Sequence, residues 1–361
     1  MKIVHTEASC GWGGQEIRIL EESQGMIGRG HEVTILCPPE ARIHEEAMRR
    51  GIPVTALPIG RKNLHGLFAL RRWLAEHPAD VLNTHSSTDS WLAALACKTL
   101  SLAPPIVRTR HISAPIPKNA PSRWLYNSAV RHVVTTGEAL RRQLIDQNGV
   151  AAERITSVPT GIDPERFKPG DKSEARCKLG LDPAGHFIGI VATLRSWKGH
   201  LILLEAFASL DLPDWTLLVV GDGPMRGQIE AKITELGLRA RVKLVGQQDR
   251  PEDWLRSLDI FVLPSYANEG VPQAVVQAMF TGLPIVTTPV GAILEAVSDN
   301  ETALVVPPKD SQALAAALGR LTSEPELGAR FGAAAREKAS GLFSREAMLE
   351  RMEAVVRRVQ T

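Results

Sequence analysis

Short apolar runs recur along the chain, each about four to eight residues long, and between them lie longer stretches with apolar positions three and four apart. KIVHTE (Lys2 to Glu7) is the first run, and a Gly-rich turn and a helical pattern from Glu16 to Arg29 follow it. HEVTILCP, PVTALPI, ADVLNTHS, PIVRTRH, HVVTT and RITSVPTGID read as further strands. Helical patterns separate them at Arg42 to Arg50, Leu64 to Glu76, Trp91 to Leu100 and in GEALRRQLI. A strand followed by a helix, repeated, predicts parallel βαβ units.

FKPGDKSEARCKLGLDP (Phe167 to Pro183) is dense in Pro, Gly and charge, and the domain boundary is placed there. A second series then begins with HFIGIVATL, HLILLEAFASL, WTLLVVGDGP and MRGQIEAKITELGL. It continues through RVKLVGQ, PEDWLRSLD, IFVLPS, VPQAVVQAMFTG, LPIVTTPVG and ETALVVPP to a long helical tail. The expected fold is α/β, with two Rossmann-like doubly wound parallel-sheet domains, residues 1–167 and 168–361, facing a central cleft. The terminal helix, 344–361, is a candidate to pack back on the first domain.

A length of 361 residues also favours two cores over one. With 44% hydrophobic and 23% charged residues the chain has an ordinary globular composition. No apolar run approaches the ~20 residues of a membrane span, and MKIVHTEASC reads as a strand start without a signal-peptide core. Cys10, Cys37, Cys97 and Cys177 form no metal or disulfide pattern, so a reducing cytoplasm is expected. Residues 1–168 carry 21 Lys/Arg against 16 Asp/Glu, and residues 169–361 carry 21 against 24. The basic half reads as solvated helix faces or as attraction to an anionic membrane or acceptor. Aromatics at 5% are too few for nucleic-acid stacking platforms, so no nucleic-acid partner is expected.

Five stretches carry candidate chemistry. In ASCGWGGQE, Gly11, Gly13 and Gly14 open the first helix; glycine there allows positive φ and close approach of a ligand to free N–H groups, or makes a simple tight turn. The spacing is not GxGxxG, which disfavours a dinucleotide oxidoreductase. His85 and His111 each follow a strand's carboxyl end, with Arg110 beside the second, and suit hydroxyl recognition and charge stabilisation. No carboxylates complete a metal-ligand set around them, and no metal site is expected. Arg195 and Lys198 share the loop ATLRSWKGH, where two cations could neutralise a diphosphate. VVGDGP sets Asp222 between Gly221 and Gly223 in a turn. In NEGVPQAVVQAM, Pro272 suits the first helical position, leaving amides near Gln273 and Ala274 free for phosphate. Glu269 lies just before this helix start, as a ligand-reading or a capping acid, and Gln277 lies two turns into the helix.

Together these stretches resemble the retaining glycosyltransferases of the GT-B fold, in particular glycosyltransferase family 4. That family's GRLxxxKG loop is similar to ATLRSWKG, its VGxGP turn to VGDGP, and its PSxxEGxPxxxxEAMAxGxPVVxT segment to PSYANEGVPQAVVQAMFTGLPIVTT (Pro264 to Thr288). The resemblance runs from Lys2 to about Val359 and includes THS, TRH and PTGID in the first half. It implies that Glu269 bonds hydroxyls of the transferred sugar and that Gly270, Val271, Pro272, Gln273 and Ala274 meet sugar and diphosphate. It gives Lys198 the diphosphate and places His111 by the anomeric carbon. Gly13, Gly14, Gly221, Asp222 and Gly223 would line the donor, and His85 and Arg110 the acceptor.

Two positions depart from the pattern. The family's loop arginine is Thr193 here, with Arg195 expected to supply the charge. The family's E-x7-E is E-x7-Q, so that Gln277 stands where relatives hold the ribose with an acid. The implied activity is metal-independent transfer, with retention, from a nucleotide-diphosphate sugar (UDP- or GDP-hexose) to a glycan or lipid-linked acceptor. Lipopolysaccharide or surface polysaccharide synthesis on the inner membrane face is the expected setting, with peripheral contact to anionic lipid and no separate cofactor. The alternatives are a non-catalytic sugar-nucleotide-binding protein, which Gln277 and Thr193 would favour, and a nucleotide-sugar epimerase.

Overall fold

The computed structural model describes residues 1–112 and 114–360. Ser113 of the VRTRHIS stretch and Thr361 at the end of the expected terminal helix lie outside the described residues. The chain forms two compact units, Met1–Gly161 with the segment that begins at Arg345, and Ile162–Ser344.

The first unit is built on seven parallel strands, β1 (Lys2–Thr6), β2 (Glu32–Cys37), β3 (Val54–Ala56), β4 (Val81–Thr84), β5 (Ile106–Arg110), β6 (His132–Thr135) and β7 (Ile155–Ser157). Their order is β3-β2-β1-β4-β5-β6-β7. The second has six, β8 (His186–Val191), β9 (Trp215–Val220), β10 (Val242–Gly246), β11 (Ile260–Leu263), β12 (Ile285–Thr287) and β13 (Leu304–Val305), in the order β10-β9-β8-β11-β12-β13. Helices cover both sheets, so strands such as IFVL in β11 are buried throughout and show no polar alternation. The order reverses between β1 and β4 in one sheet and between β8 and β11 in the other. In open α/β sheets the crevice for a ligand forms at such a reversal, beyond the strands' carboxyl ends.

The boundary differs from the expected one. Phe167 is buried in the second unit's core, and the stretch Phe167 to Pro183 contains a helix, Lys172–Lys178, capped by Asp171. Arg176 of this helix is buried and bonds the Asp259 carboxylate at 2.8 Å and the Ser257 carbonyl at 3.0 Å. Part of the charge that marks this stretch in sequence is thus internal. The chain leaves the first unit at Gly161, and Ile162 N–H bonds the carbonyl of Phe343, which precedes the return at Arg345.

The helix Arg345–Gln360 belongs to the first unit. It buries Met348, Leu349, Met352, Val355, Val356 and Val359 against Ile3, Val33, Val81, Val107 and Val134 of the strands and Val158 just beyond β7. The spacing of three and four puts those six on one stripe. Arg29 bonds Glu353 at 2.7 Å and also pairs with Glu346. The helix after β4 starts at Ser87, earlier than its apolar pattern suggests, because Ser86 and Asp89 form a capping box.

Candidate active site

In the second unit, Lys198 follows β8 and Glu269 follows β11, the two strands where the order reverses. Lys198 Nζ donates to Glu269 Oε1 at 2.6 Å, and Ser265 Oγ donates to the same oxygen at 2.7 Å. Glu269 is 5% exposed. Both hydrogen bonds fall on Oε1, so Oε2 keeps its lone pairs for another group. Two glycines make this approach possible. Gly199 has φ +79, and a Cβ there would lie 2.1 Å from the Pro264 carbonyl; Gly291 has φ +61, and a Cβ would lie 2.0 Å from the Glu269 carbonyl. The loops after β8, β11 and β12 are therefore in close contact, with Tyr266 N–H on the Trp197 carbonyl at 2.8 Å and the Thr288 side-chain hydroxyl on the Ser265 carbonyl. Asn268, just before Glu269, takes a left-handed φ of 59, which Asn tolerates better than most residues.

The helix Gln273–Thr281 begins one residue later than expected, with Pro272 as its N-cap. Proline offers no N–H and no side chain caps this end. Val275 and Val276 N–H bond the Pro272 carbonyl, so the amides of Gln273 and Ala274 point forward with the positive end of the helix. Gln277 is 7% exposed, and its side-chain amide makes no hydrogen bond among the described residues. The VGDGP turn packs on the Lys198 loop, with Leu194 N–H on the Asp222 carbonyl at 3.0 Å and Met225 N–H on the Leu194 carbonyl at 3.1 Å. The Asp222 side chain is exposed. Arg195 is exposed too, its guanidinium 5.9 Å from the Trp197 ring centroid. Of the two loop cations, it is Lys198 that meets Glu269.

In the first unit, Gly13 is the N-cap of the helix Gly14–Gly28 with an extended φ of −176. None of Gly11, Gly13 and Gly14 has positive φ, so the conformational argument for them does not hold; what they contribute is the bare backbone at an uncapped helix start. Glu7, at the head of this loop, is fully buried. It accepts Ser9 N–H at 2.7 Å and a bond from Gln15. Burial first, then the charges of Asp89 and Glu16, push its carboxyl from 4.5 up to about 8.

His85 is 2% exposed and bonded on both sides, to His5 at 2.9 Å and to His111 at 3.0 Å. It is enclosed between two rings, and His111 is the half-buried member of the three. Arg110 is committed to its own segment, bonding the Tyr126 hydroxyl at 3.1 Å and the Ala114 carbonyl. Sequence reasoning passed over Ser265, Glu7, His5, Glu22 and Arg18. His5 could have been found from strand alternation once the β1–β4 pairing was known; the others carry no local signal.

Among the described residues no cluster of three His, Cys, Asp or Glu could hold a metal ion, and no helix is long and apolar enough to cross a membrane.

Two parallel-sheet units of this topology are the architecture of the GT-B fold. The structure of Anabaena Alr3699/HepE in complex with UDP-glucose superposes with a TM-score of 0.89 at 23% identity, covering 99% of this chain and 100% of that one. Residues 12–166 match the family described as Glycosyltransferase Family 4, and residues 171–338 the one described as Glycosyl transferases group 1. The D-inositol 3-phosphate glycosyltransferase of Mycobacterium sp. (strain KMS) is 30% identical over 338 residues, 81% of this chain and 74% of the relative. The lipopolysaccharide core biosynthesis mannosyltransferase LpsB of Rhizobium meliloti (strain 1021) is 36% identical over 185 residues, a match spanning 48% of this chain and 52% of LpsB. The chain belongs to glycosyltransferase family 4.

The folded chain holds the Glu7 proton more tightly than the unfolded chain does. Its stabilising contribution is whole below pH 4.5 and is lost as pH rises to about 8. Glu7→Gln mimics the protonated form. The variant is expected to melt with the wild type at pH 4.5 and progressively above it toward pH 8 and beyond, read by thermal denaturation. A difference that does not change with pH would contradict the shift.

Proposed function

We propose that this glycosyltransferase transfers a hexose, with retention and without a metal, from a UDP- or GDP-sugar to a glycan or lipid-linked acceptor in lipopolysaccharide or surface polysaccharide synthesis. The observation that carries the reading is Glu269, fixed through Oε1 by Lys198 and Ser265 with Oε2 uncommitted, beside the uncapped start of the helix Gln273–Thr281. A carboxylate held in this way reads sugar hydroxyls, and charge-assisted bonds to it are the stronger kind. The helix start offers two amides and a positive dipole end to a diphosphate. The UDP-glucose of the HepE complex and the lipopolysaccharide role in the name of LpsB support the donor class and the setting.

In the proposed reaction the bond from the anomeric carbon to the diphosphate oxygen breaks first. The electron pair leaves with the phosphate, and Lys198 with the amides of Gln273 and Ala274 stabilises the growing negative charge. This is preorganised electrostatics, with the dipoles in place before charge develops. The acceptor oxygen then attacks the oxocarbenium-like carbon on the face the phosphate leaves, and its proton passes to the departing phosphate. His111 is assigned to the reacting carbon by the family resemblance, and Gln277 to the nucleotide ribose.

Leu64 and Phe68, one turn apart on the helix Leu64–Glu76, are 68% and 62% exposed, and Arg61 and Lys62 precede them on the surface. We propose this apolar and basic face as the contact with anionic membrane.

Glu269→Gln is expected to remove sugar transfer while the thermal unfolding transition persists; transfer at the wild-type rate would sink the role of this carboxylate. A thermal-shift screen of nucleoside diphosphates and nucleotide sugars identifies the donor, since a ligand of the folded state raises its melting temperature. Gln277→Glu replaces a neutral acceptor with a charged one, worth about 1 kcal/mol, so donor affinity measured by calorimetry should tighten about fivefold. Weaker binding would remove the ribose from this residue. In cosedimentation with phosphatidylglycerol vesicles, Phe68→Ser should shift the protein to the supernatant, whereas unchanged pelleting would refute the membrane face.

A further inference from the structure

Three histidines of the first unit, from three adjacent strands, are joined ring to ring. His5 lies in β1, His85 follows β4 and His111 follows β5, and these strands are neighbours in the sheet. In register His5 pairs with Asn83, and Thr84 pairs with Arg108. Side chains alternate along each strand, so His5, Asn83, His85, Thr109 and His111 share one face. Nδ1 of His5 lies 2.9 Å from Nε2 of His85, and Nδ1 of His85 lies 3.0 Å from Nε2 of His111. The chain of rings therefore runs from a fully buried His5 to a half-buried His111.

Its inner end meets the carboxyl of Glu22, whose pKa burial raises and the Arg18 charge pulls back toward the ionised form. His5 Nε2 is 4.0 Å from Oε1 of Glu22, and Oε2 of Glu22 is 3.6 Å from Nε of Arg18. Both are buried, on the helix Gly14–Gly28. Asn83 Nδ2 donates to the same Oε1 at 3.4 Å, with Asn83 Oδ1 accepting the Thr109 hydroxyl at 2.8 Å. Glu22 Oε1 is the carboxyl oxygen that faces His5 Nε2, at 4.0 Å and too far for a hydrogen bond as it stands, and His5 Nε2 is buried without a hydrogen-bond partner among the described residues. Burial, reinforced by Arg18, lowers His5 to about 4. Burial also holds His85 and His111 well below the ordinary range, reinforced at His111 by Arg18, Arg108 and Arg110.

A neutral imidazole has one N–H and one bare nitrogen. Each ring-to-ring bond needs one of each, so all three rings must point the same way, and two arrangements exist. In the first every ring carries its proton on Nε2. His5 then turns an N–H to Glu22, and Nδ1 of His111 is left as a bare acceptor. In the second every proton is on Nδ1, and His5 turns a lone pair to a carboxylate in a buried, weakly screened site. Coulomb repulsion disfavours the second. We propose that Glu22, through His5 and His85, holds His111 in the Nε2–H tautomer, so that its Nδ1 is a fixed hydrogen-bond acceptor for a substrate hydroxyl. Glu22, His5 and His85 are positioning residues, since they act through His111. The use of that acceptor rests on the reading that assigns His111 to the reacting carbon; the tautomer itself does not.

Histidine nitrogen NMR on the 15N-labelled wild-type protein tests this directly, because protonated and bare ring nitrogens differ widely in shift. His111 is expected to show a protonated Nε2 and a bare Nδ1. The opposite assignment, or an even mixture, overturns the proposal without recourse to any variant. Glu22→Gln and His5→Leu should each let the Nδ1–H form of His111 appear and lower kcat several-fold with KM for the nucleotide sugar unchanged. A His111 tautomer unmoved in a folded variant would show that the chain does not set it. A tautomer that shifts while kcat holds would confirm the chain and instead remove His111 from the reacting carbon.

Discussion

A parallel sheet wound by right-handed crossovers can grow in one direction from its first strand, and then must return beside that strand to grow in the other. Everything chemical in this molecule depends on that reversal. It occurs at β1 and β4 in one unit and at β8 and β11 in the other, and there the crossover helices diverge to opposite faces. The loops beyond those strand ends are free to turn side chains to a ligand instead of to a helix. Lys198 and Glu269 occupy one reversal, and His5 and His85 the other. Residues 71 positions apart in one case, and about 80 in the other, become neighbours because of winding alone.

Burial gives these groups their character. Lys198 and Glu269 form an ion pair in which one carboxylate oxygen takes both hydrogen bonds, so the acid is held in place without being saturated. A buried pair of this kind is a weak source of stability, because desolvation opposes the attraction. Its value is geometric, in that the carboxylate is aimed before any ligand arrives. In the first unit the same loss of solvent acts oppositely. It disfavours the charged form of three imidazoles, and neutral rings bond one another in a line only when all of them point the same way. The glycine contacts at Gly199 and Gly291 show how tightly the loops are set, since any side chain there would strike a neighbouring carbonyl.

Much of this was legible. The strand and helix alternation is a consequence of apolar spacing, and the helix Leu64–Glu76 falls where that spacing puts it. NEGVPQAVVQAM announced an acid before a helix whose first amides proline leaves unbonded, and the structure has that arrangement with the helix one residue later. The misreadings share a cause. Phe167 to Pro183 reads as a domain boundary for its Pro, Gly and charge, but Arg176 within it is buried on Asp259, a partner remote in sequence. Arg110 and Arg195 looked alike as cations near strand ends, yet Arg110 is consumed by Tyr126 and the Ala114 carbonyl while Arg195 stays in solvent above Trp197. The three glycines at the first loop suggested positive φ, and the backbone there is extended at Gly13.

By itself the sequence determined the periodicities, the turns and caps, and the chemical identity of each loop, since these are local properties of residues a few positions apart. It also determined that position 277 is an amide and position 193 a threonine. Only the tertiary structure decided which of those loops meet, which oxygen of Glu269 stays uncommitted, and that His5, His85 and His111 form one line ending at Glu22. Such facts depend on strand order and register. Those are fixed when a whole sheet is packed, because burying each apolar face admits one pairing and excludes the others.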